Sequence, residues 1–353
     1  MLGISVFLNE PITNETKDYI NLAKQMGAKG IFSSIHIPEN DATIYKERLT
    51  NLGKIAKSLN VNLMVDISKD SLNKAGFSFN NLSNLKEIGV TGLRMDYGIS
   101  TETIAKASNE ITVGLNASTI TKEFINDLKK YNANFSSFEM CHNYYPREHT
   151  GLDKDFFLSL NKFLKNEGFK VVAFVPGDKI LRGPVFKGLP TIEDHRYETT
   201  YFSFIDMATN YLVDNVYIGD PEISLESFNK INNWIKTKTI ELNCNMIETD
   251  PTKKNFVLGF HQNRPDFSKK VIRSANARFL QIPFISPNNN IKRKIGSVTI
   301  DNVNYGRYTG EIQICKENLD SDDRVNVIGN IVEEDISLLS LIKSNVKFQL
   351  KEV

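Results

Sequence analysis

Cysteine is scarce in this chain, with Cys141, Cys244 and Cys315 the whole complement in 353 residues. An odd number at wide spacing supports neither a disulfide framework nor a zinc-type cluster, and a reducing cytoplasm suits it best. Histidine is nearly as thin. His36, His142, His149, His195 and His261 make no HxH or HxxxH pair and no finger spacing with cysteine. No apolar run approaches the roughly 20 residues that a membrane span needs. The opening MLGISVFLNEP has no basic flank or small-residue cleavage site, so it reads as a strand rather than a signal peptide. Neither sign of charge dominates. Forty-three Lys+Arg against 42 Asp+Glu leave a formal charge of +1, no footprint for nucleic acid. Internal repeats and low-complexity linkers are also missing. The sequence thus calls for no cofactor, nucleic acid, membrane or protein partner. What remains, 41% hydrophobic and 24% charged, is ordinary for a globular protein. Its length predicts two domains, packed closely for want of a tether.

Through residue 237, short β-branched or apolar runs alternate with helix-periodic stretches. The strand-like runs are Gly3–Leu8, Gly30–Ser34, Val61–Ile67, Gly92–Asp96, Ile111–Leu115, Phe135–Met140, Lys170–Val175 and Asn215–Ile218. Helix signals lie between them: Thr13 before an apolar face closed by Gly27, Asp41 before Ile44–Leu59, and Thr121 before Phe124, Leu128 and Tyr131. Eight strand–helix repeats in about 240 residues predict a (β/α)8 barrel. The rival is a doubly wound open sheet. It is disfavoured because the first turn, Asn9-Glu10-Pro11, has no glycine-rich loop, and because polar residues recur at strand ends. From 238 to 353 the pattern changes to strands and turns, namely Phe256–Phe260, Phe279–Ile282, Gly296–Ile300, Glu311–Cys315, Val325–Val332 and Val346–Leu350. This predicts a small β-rich second domain.

Barrel enzymes draw their chemistry from strand C-termini and the loops that follow. Strand alternation turns Ser137 and Glu139 inward, likewise Arg94 and Asp96, and Asp66 at the top of the third strand. Asn116 ends the fifth strand, and Asp220 follows the eighth. Any one acid read alone is equally a structural carboxylate holding loop amides. Four together predict a functional cluster, because gathered carboxylates are costly without cations. Paired carboxyl groups flanking a bond are the pattern of glycoside hydrolysis. Glu139, among Phe135, Phe138 and Met140, reads as the protonated acid, and Asp96, beside Arg94, as its ionised partner. Magnesium on Asp66, Asp96 and Asp220 is the alternative use of the acids. His142 reads as a ligand, a base or a hydrogen-bonded wall residue. Adjacent Cys141 and His142 point to opposite faces and make no nucleophile–base pair.

The long loops after strands six and seven bring Asn143, Tyr144, Tyr145, Arg147, Lys179, Arg182 and Lys187. The second domain adds Arg264, Arg273 and Arg307. These cations suit a phosphate or carboxylate.

The string His142-Asn143-Tyr144-Tyr145-Pro146-Arg147, with Thr150-Gly151, Arg182-Gly183-Pro184, Gly188-Leu189-Pro190-Thr191 and Glu193-Asp194-His195-Arg196, resembles the bacterial 6-phospho-N-acetylmuramidases. Gly3-Ile4-Ser5-Val6-Phe7, Gly92 to Gly98, Val216 to Asp220 and Tyr305 to Ile314 agree, so the likeness runs nearly the whole length. It implies a barrel over 1–237 and a cyclophilin-like domain over 238–353 that helps form the substrate site. It also implies an intracellular exo-hydrolase acting on a phosphorylated disaccharide, N-acetylmuramic acid 6-phosphate β-1,4-linked to N-acetylglucosamine, during peptidoglycan recycling. Such a ligand carries a phosphate and a lactyl carboxylate, which matches the cations already noted; Arg147, Arg182, Lys187, Arg273 and Arg307 are the candidates for the phosphate. Other readings are a metal-assisted sugar-phosphate lyase or epimerase, and a binding protein without catalysis.

Overall fold

Eight short strands pair in parallel in chain order, and the last closes on the first. They are β1 Leu2–Ser5, β2 Ala28–Ser34, β3 Asn62–Ile67, β4 Gly92–Met95, β5 Thr112–Asn116, β6 Phe138–Cys141, β7 Lys170–Val175 and β8 Asn215–Ile218. The open-sheet alternative is thereby excluded. The structure, a computed structural model, describes residues 1–35 and 42–353, so His36 and the expected cap Asp41 lie outside the described residues. Local signals act as the sequence implies. Thr13 accepts from the Thr16 amide to start the helix Asn14–Gln25, and Thr121 accepts from the Phe124 amide to start Lys122–Lys130. One difference matters for the site. Phe135–Ser137 is a 3-10 turn rather than strand, so β6 begins at Phe138. Asn134 initiates that turn, its side chain accepting from the Ser136 amide.

Inward side chains of such a barrel stack in layers drawn from alternate strands. Following the strand register around the barrel, with the stagger that closes it, sorts them by level. Nearest the strand N-termini lie Gly30, Gly92, Glu139 and Asn215. Above them come Gly3, Met64, Gly114 and Val172, then Phe32, Arg94, Cys141 and Tyr217. The mouth is lined by Ser5, Asp66, Asn116 and Phe174, and then by Ser34, Asp96, Asn143 and Gly219. The middle is dry: Phe32, Met64, Cys141, Val172, Phe174 and Tyr217 form one buried cluster, with Tyr144 packed on it.

Glycine in the lower levels has a steric cause. The Tyr217 ring fills the space beside Gly3 and Gly30, and a Cβ on Gly30 would stand 2.2 Å from the Tyr217 hydroxyl. Gly30→Ala should therefore cost about 1–3 kcal/mol by overpacking. Thermal melting should show the loss, and part of it should return in a Tyr217→Phe background.

The chain divides into two compact units, Met1–Asn229 and Lys230–Val353. The second is a seven-stranded sheet in the order β10-β15-β9-β14-β12-β13-β11. Its strands are β9 Thr239–Met246, β10 Gly259–Gln262, β11 Val271–Arg273, β12 Ser297–Asp301, β13 Ile312–Cys315, β14 Val325–Ile331 and β15 Lys347–Glu352. Every pair is antiparallel except β9 with β15. Two expected strands are corrected here. Phe256 closes a helix, Pro251–Val257, begun by the Asp250 cap with proline at its start. Phe279 ends a 3-10 turn, Asn276–Phe279. Among the described residues no helix is long and apolar enough to cross a membrane.

Candidate active site

The polar mouth is organised by a buried cation. Arg94 is 5% exposed. Its Nη1 donates to Asp66 Oδ1 at 2.7 Å, and its Nη2 donates to Asn143 Oδ1. Ser34 donates to the other Asp66 oxygen at 3.3 Å. Burial opposes the Arg94 charge, but the carboxylates of Asp66 and Asp96 outweigh it and raise its pKa. Asp66, Arg94, Asp96, Asn116 and Asn143 thus gather at one mouth. Asn116 spends its side-chain oxygen on the Ser118 amide. Tyr145 stands at the same rim, half-buried and bonded to the Ser118 side chain, with burial raising its hydroxyl pKa.

Glu139 does not join them. It is the second residue of β6, and its carboxylate accepts from Asn215 Nδ2, at the first residue of β8, at 3.1 Å. The charges that reach it, Lys170 and Asp214, also belong to strand N-termini. The apolar cluster around Cys141 separates it from Asp66 and Asp96 above. Alternation turned it inward correctly, but its level is low. Its assignment as the acid at the mouth is therefore corrected.

His142 is corrected as well. It is wholly buried on the helix side of β6, bonded to Asn161 at 2.7 Å, with its ring against Phe157. Burial lowers its pKa to about 4. Asp220 is wholly buried too, and its two oxygens accept from the amides of Gly177, Arg182 and Leu189 at 2.9–3.0 Å. It shapes the loop after β7 instead of facing a ligand.

That loop delivers Arg182 to the mouth. Its guanidinium lies 3.8 Å over the Phe7 ring, and Nη1 donates to the Tyr144 hydroxyl at 2.6 Å. Beside it opens a cavity of about 240 Å³ lined by Ser5, Phe7, Asn9, Thr16 and Tyr19 among others. Arg147 is exposed, and exposed Lys187 faces Glu148 at 3.8 Å. In the second unit Arg273 is already neutralised, held by both Glu311 oxygens and facing Asp266. It is no free phosphate ligand. Arg307 is exposed over Tyr308 and lines a cavity of about 430 Å³ within that unit.

Sequence reasoning gave Arg196 no role, yet it ties the two long loops together. Its Nε and Nη2 donate to Glu193, and its Nη groups reach the carbonyls of Tyr145, Arg147, Lys187 and Gly188. Glu193 in turn accepts from the amides of His149 and Gly151, and Arg196 holds its carboxyl down at about 2. The signal was the Glu–x–x–Arg spacing, which can close a fork over one turn. Ser34 was also missed, although alternation along β2 turns it inward. Among the described residues no group of three or more His, Cys, Asp and Glu could hold a metal ion.

A closed barrel with its polar residues gathered at the strand C-termini places this chain among (β/α)8 proteins whose site lies at that face. Residues 2–233 match the family 6-phospho-N-acetylmuramidase, N-terminal, and residues 240–351 match 6-phospho-N-acetylmuramidase, C-terminal. The chain belongs to the 6-phospho-N-acetylmuramidase family. It is similar to a crystal structure of a conserved Enterococcus faecalis protein with an unknown function, at 45% identity and TM-score 0.91, covering 100% of this chain and 96% of that one. An uncharacterized B. cereus protein is similar at 27% identity and TM-score 0.80, with 99% of each chain covered. No curated protein matches the chain.

The position of Glu139 has a measurable consequence. Burial and Asp214 push its carboxyl up against the pull of Lys170. The fold therefore favours the protonated acid and carries a penalty above the usual carboxylate value that disappears below it. Glu139→Gln should leave turnover near wild type and raise Tm at pH 7. The gain should vanish below about pH 4. A large loss of turnover would return Glu139 to the catalytic set.

Proposed function

We propose that this protein is an exo-glycosidase that hydrolyses the β-1,4 bond of N-acetylmuramic acid 6-phosphate–N-acetylglucosamine in the cytoplasm, as a step of peptidoglycan recycling. The observation that carries the reading is a pair of aspartates, Asp66 and Asp96, converging on a barrel mouth beside Arg94 in a chain that belongs to this family. Glycoside hydrolysis needs two carboxyl groups in unlike surroundings. Asp66 is compensated by Arg94 and braced by Ser34, which suits a fixed anion facing the positive charge that develops at the anomeric carbon. Asp96 lies at the top level, one residue past β4 and half-buried. In this reading one of its oxygens exchanges a proton with the leaving oxygen, leaving the other free to accept a hydrogen bond.

The phosphate and lactyl carboxylate ask for cations around these acids. Arg182 is offered at the rim, backed by Phe7 and Tyr144. Arg147 and Lys187 ride on the loops that Arg196 holds. In the second unit, Arg307 is the exposed arginine of the pair expected from sequence. We extend the cyclophilin-like description to that unit as fold only.

Proton NMR of the fresh reaction tests the proposal, because it reports both cleavage and the anomer first released. The phosphorylated disaccharide should be cleaved with no added cofactor. Asp66→Asn and Asp96→Asn should each lower kcat by about 10²–10⁴-fold. A buried charged contact is worth about 2–5 kcal/mol, so the unphosphorylated disaccharide should be turned over at least tens of times more slowly. Equal turnover of both forms would sink the assignment, as would full activity in either aspartate variant.

A further inference from the structure

The Asn143 side chain has its polarity fixed by its neighbour. A guanidinium can only donate, so the Asn143 atom facing Arg94 Nη2 is the carbonyl oxygen Oδ1. The Nδ2 group is thereby turned away from Arg94, and among the described residues nothing accepts from it. The backbone is pinned too. The Asn143 carbonyl accepts from Thr191 Oγ1 at 2.9 Å, and that hydroxyl oxygen accepts from the Phe174 amide, also at 2.9 Å. Arg94 is held from its far side by Asp66 at 2.7 Å. The chain Asp66–Arg94–Asn143 therefore aims an N–H donor, not an acceptor, into the mouth.

Asp96 shares the top inward level with Asn143, so a carboxylate and a neutral two-proton donor line the same ring of the barrel. That combination is complementary to a secondary amide, whose N–H seeks an acceptor and whose C=O seeks a donor. A phosphate or carboxylate would be repelled by Asp66 and Asp96 at this point, and a lone hydroxyl would not require both partners. We propose that Asn143, aimed by Arg94, donates from Nδ2 to the carbonyl oxygen of the acetamido group beside the scissile bond. Asn143 is then the residue by which the enzyme selects N-acetylated over free-amino sugar. This inference rests on the glycosidase reading and names the substrate group that the site recognises.

The test compares two substrates on the full-length protein: the umbelliferyl glycoside of N-acetylmuramic acid 6-phosphate, and the same compound bearing a free amine. Wild type should prefer the acetylated compound by about 100-fold or more in kcat/KM. Asn143→Asp keeps an oxygen for Arg94 but exchanges the donor for an acceptor, and Asn143→Ala removes both. In each variant the preference should fall to about tenfold or less, through loss on the acetylated compound alone. Melting temperatures identify a folding failure, and the isosteric Asn143→Asp carries the test if the alanine variant does not fold. An unchanged preference, whether activity is kept or lost equally on both compounds, would overturn the role of Asn143 and leave the glycosidase reading standing. Wild type cleaving neither compound would overturn that reading itself and this inference with it.

Discussion

A guanidinium in the dry interior of a barrel must be answered by acids, and Arg94 is answered on its upper side. Its level in the barrel is shared with Phe32, Cys141 and Tyr217, none of which is charged there, because burial pushes the Cys141 thiol and the Tyr217 hydroxyl far up. Two nitrogens therefore reach upward to Asp66 and Asn143. Removing one partner of such a buried pair leaves an uncompensated charge, at a cost of about 3–5 kcal/mol. The mouth is thus held in a single arrangement by the energetics of the layer beneath it. Among the described residues Arg94 has no ion partner as close as Asp66, at 2.7 Å, which holds Asp66 in place, and Asn143 keeps its polarity because it faces a group that only donates.

The loops above are fixed by a second guanidinium with the opposite function. Arg196, its side chain wholly buried, spends its donors on Glu193 and on four backbone carbonyls of two loops. Backbone oxygens in an irregular segment have no ladder to join, and leaving them unpaired when buried is expensive. One planar fork satisfies several at once, and Asp220 does the complementary work by accepting from three loop amides. Long loops that would otherwise sample many shapes are in this way made part of the scaffold. Arg182 consequently reaches Phe7 and Tyr144 on a short, tethered path.

Much of this was readable in the sequence. Eight strand runs separated by capped helices predict a closed barrel over a doubly wound sheet, and the pairing of each strand with the next and of the last with the first bears that out. Asp66, Arg94 and Asp96 were identifiable because strand ends and alternation are local properties, and Asn143 because it rides on the long loop after the sixth strand. The misplacements have one cause in common. Alternation tells whether a side chain points inward, but height depends on where pairing begins, which neighbouring strands decide. Glu139 looked like a residue near the end of a long strand. Once Asn134 initiates a 3-10 turn through Ser137, the same glutamate becomes the second residue of a short one. His142 and Asp220 were misjudged for a different reason. Their partners, Asn161 and the amides of three loop residues, lie 19 to 43 positions away, and no local pattern announces them.

Height also explains why an inward acid can be tolerated at the wrong end of a barrel. Below the apolar cluster glycines stand at residues 3, 30 and 92, and the space beside them is taken by the Tyr217 ring and the Met64 side chain. A carboxyl group there is only partly desolvated, with Asn215 and Lys170 at hand, so it needs no buried cation. Above the cluster no such relief exists, and the acids assemble around Arg94. The same apolar ring that separates Glu139 from Asp66 and Asp96 thus makes the mouth an isolated electrostatic compartment. Its charge balance is set by Asp66, Arg94 and Asp96, and a bound anion would alter that balance at close range.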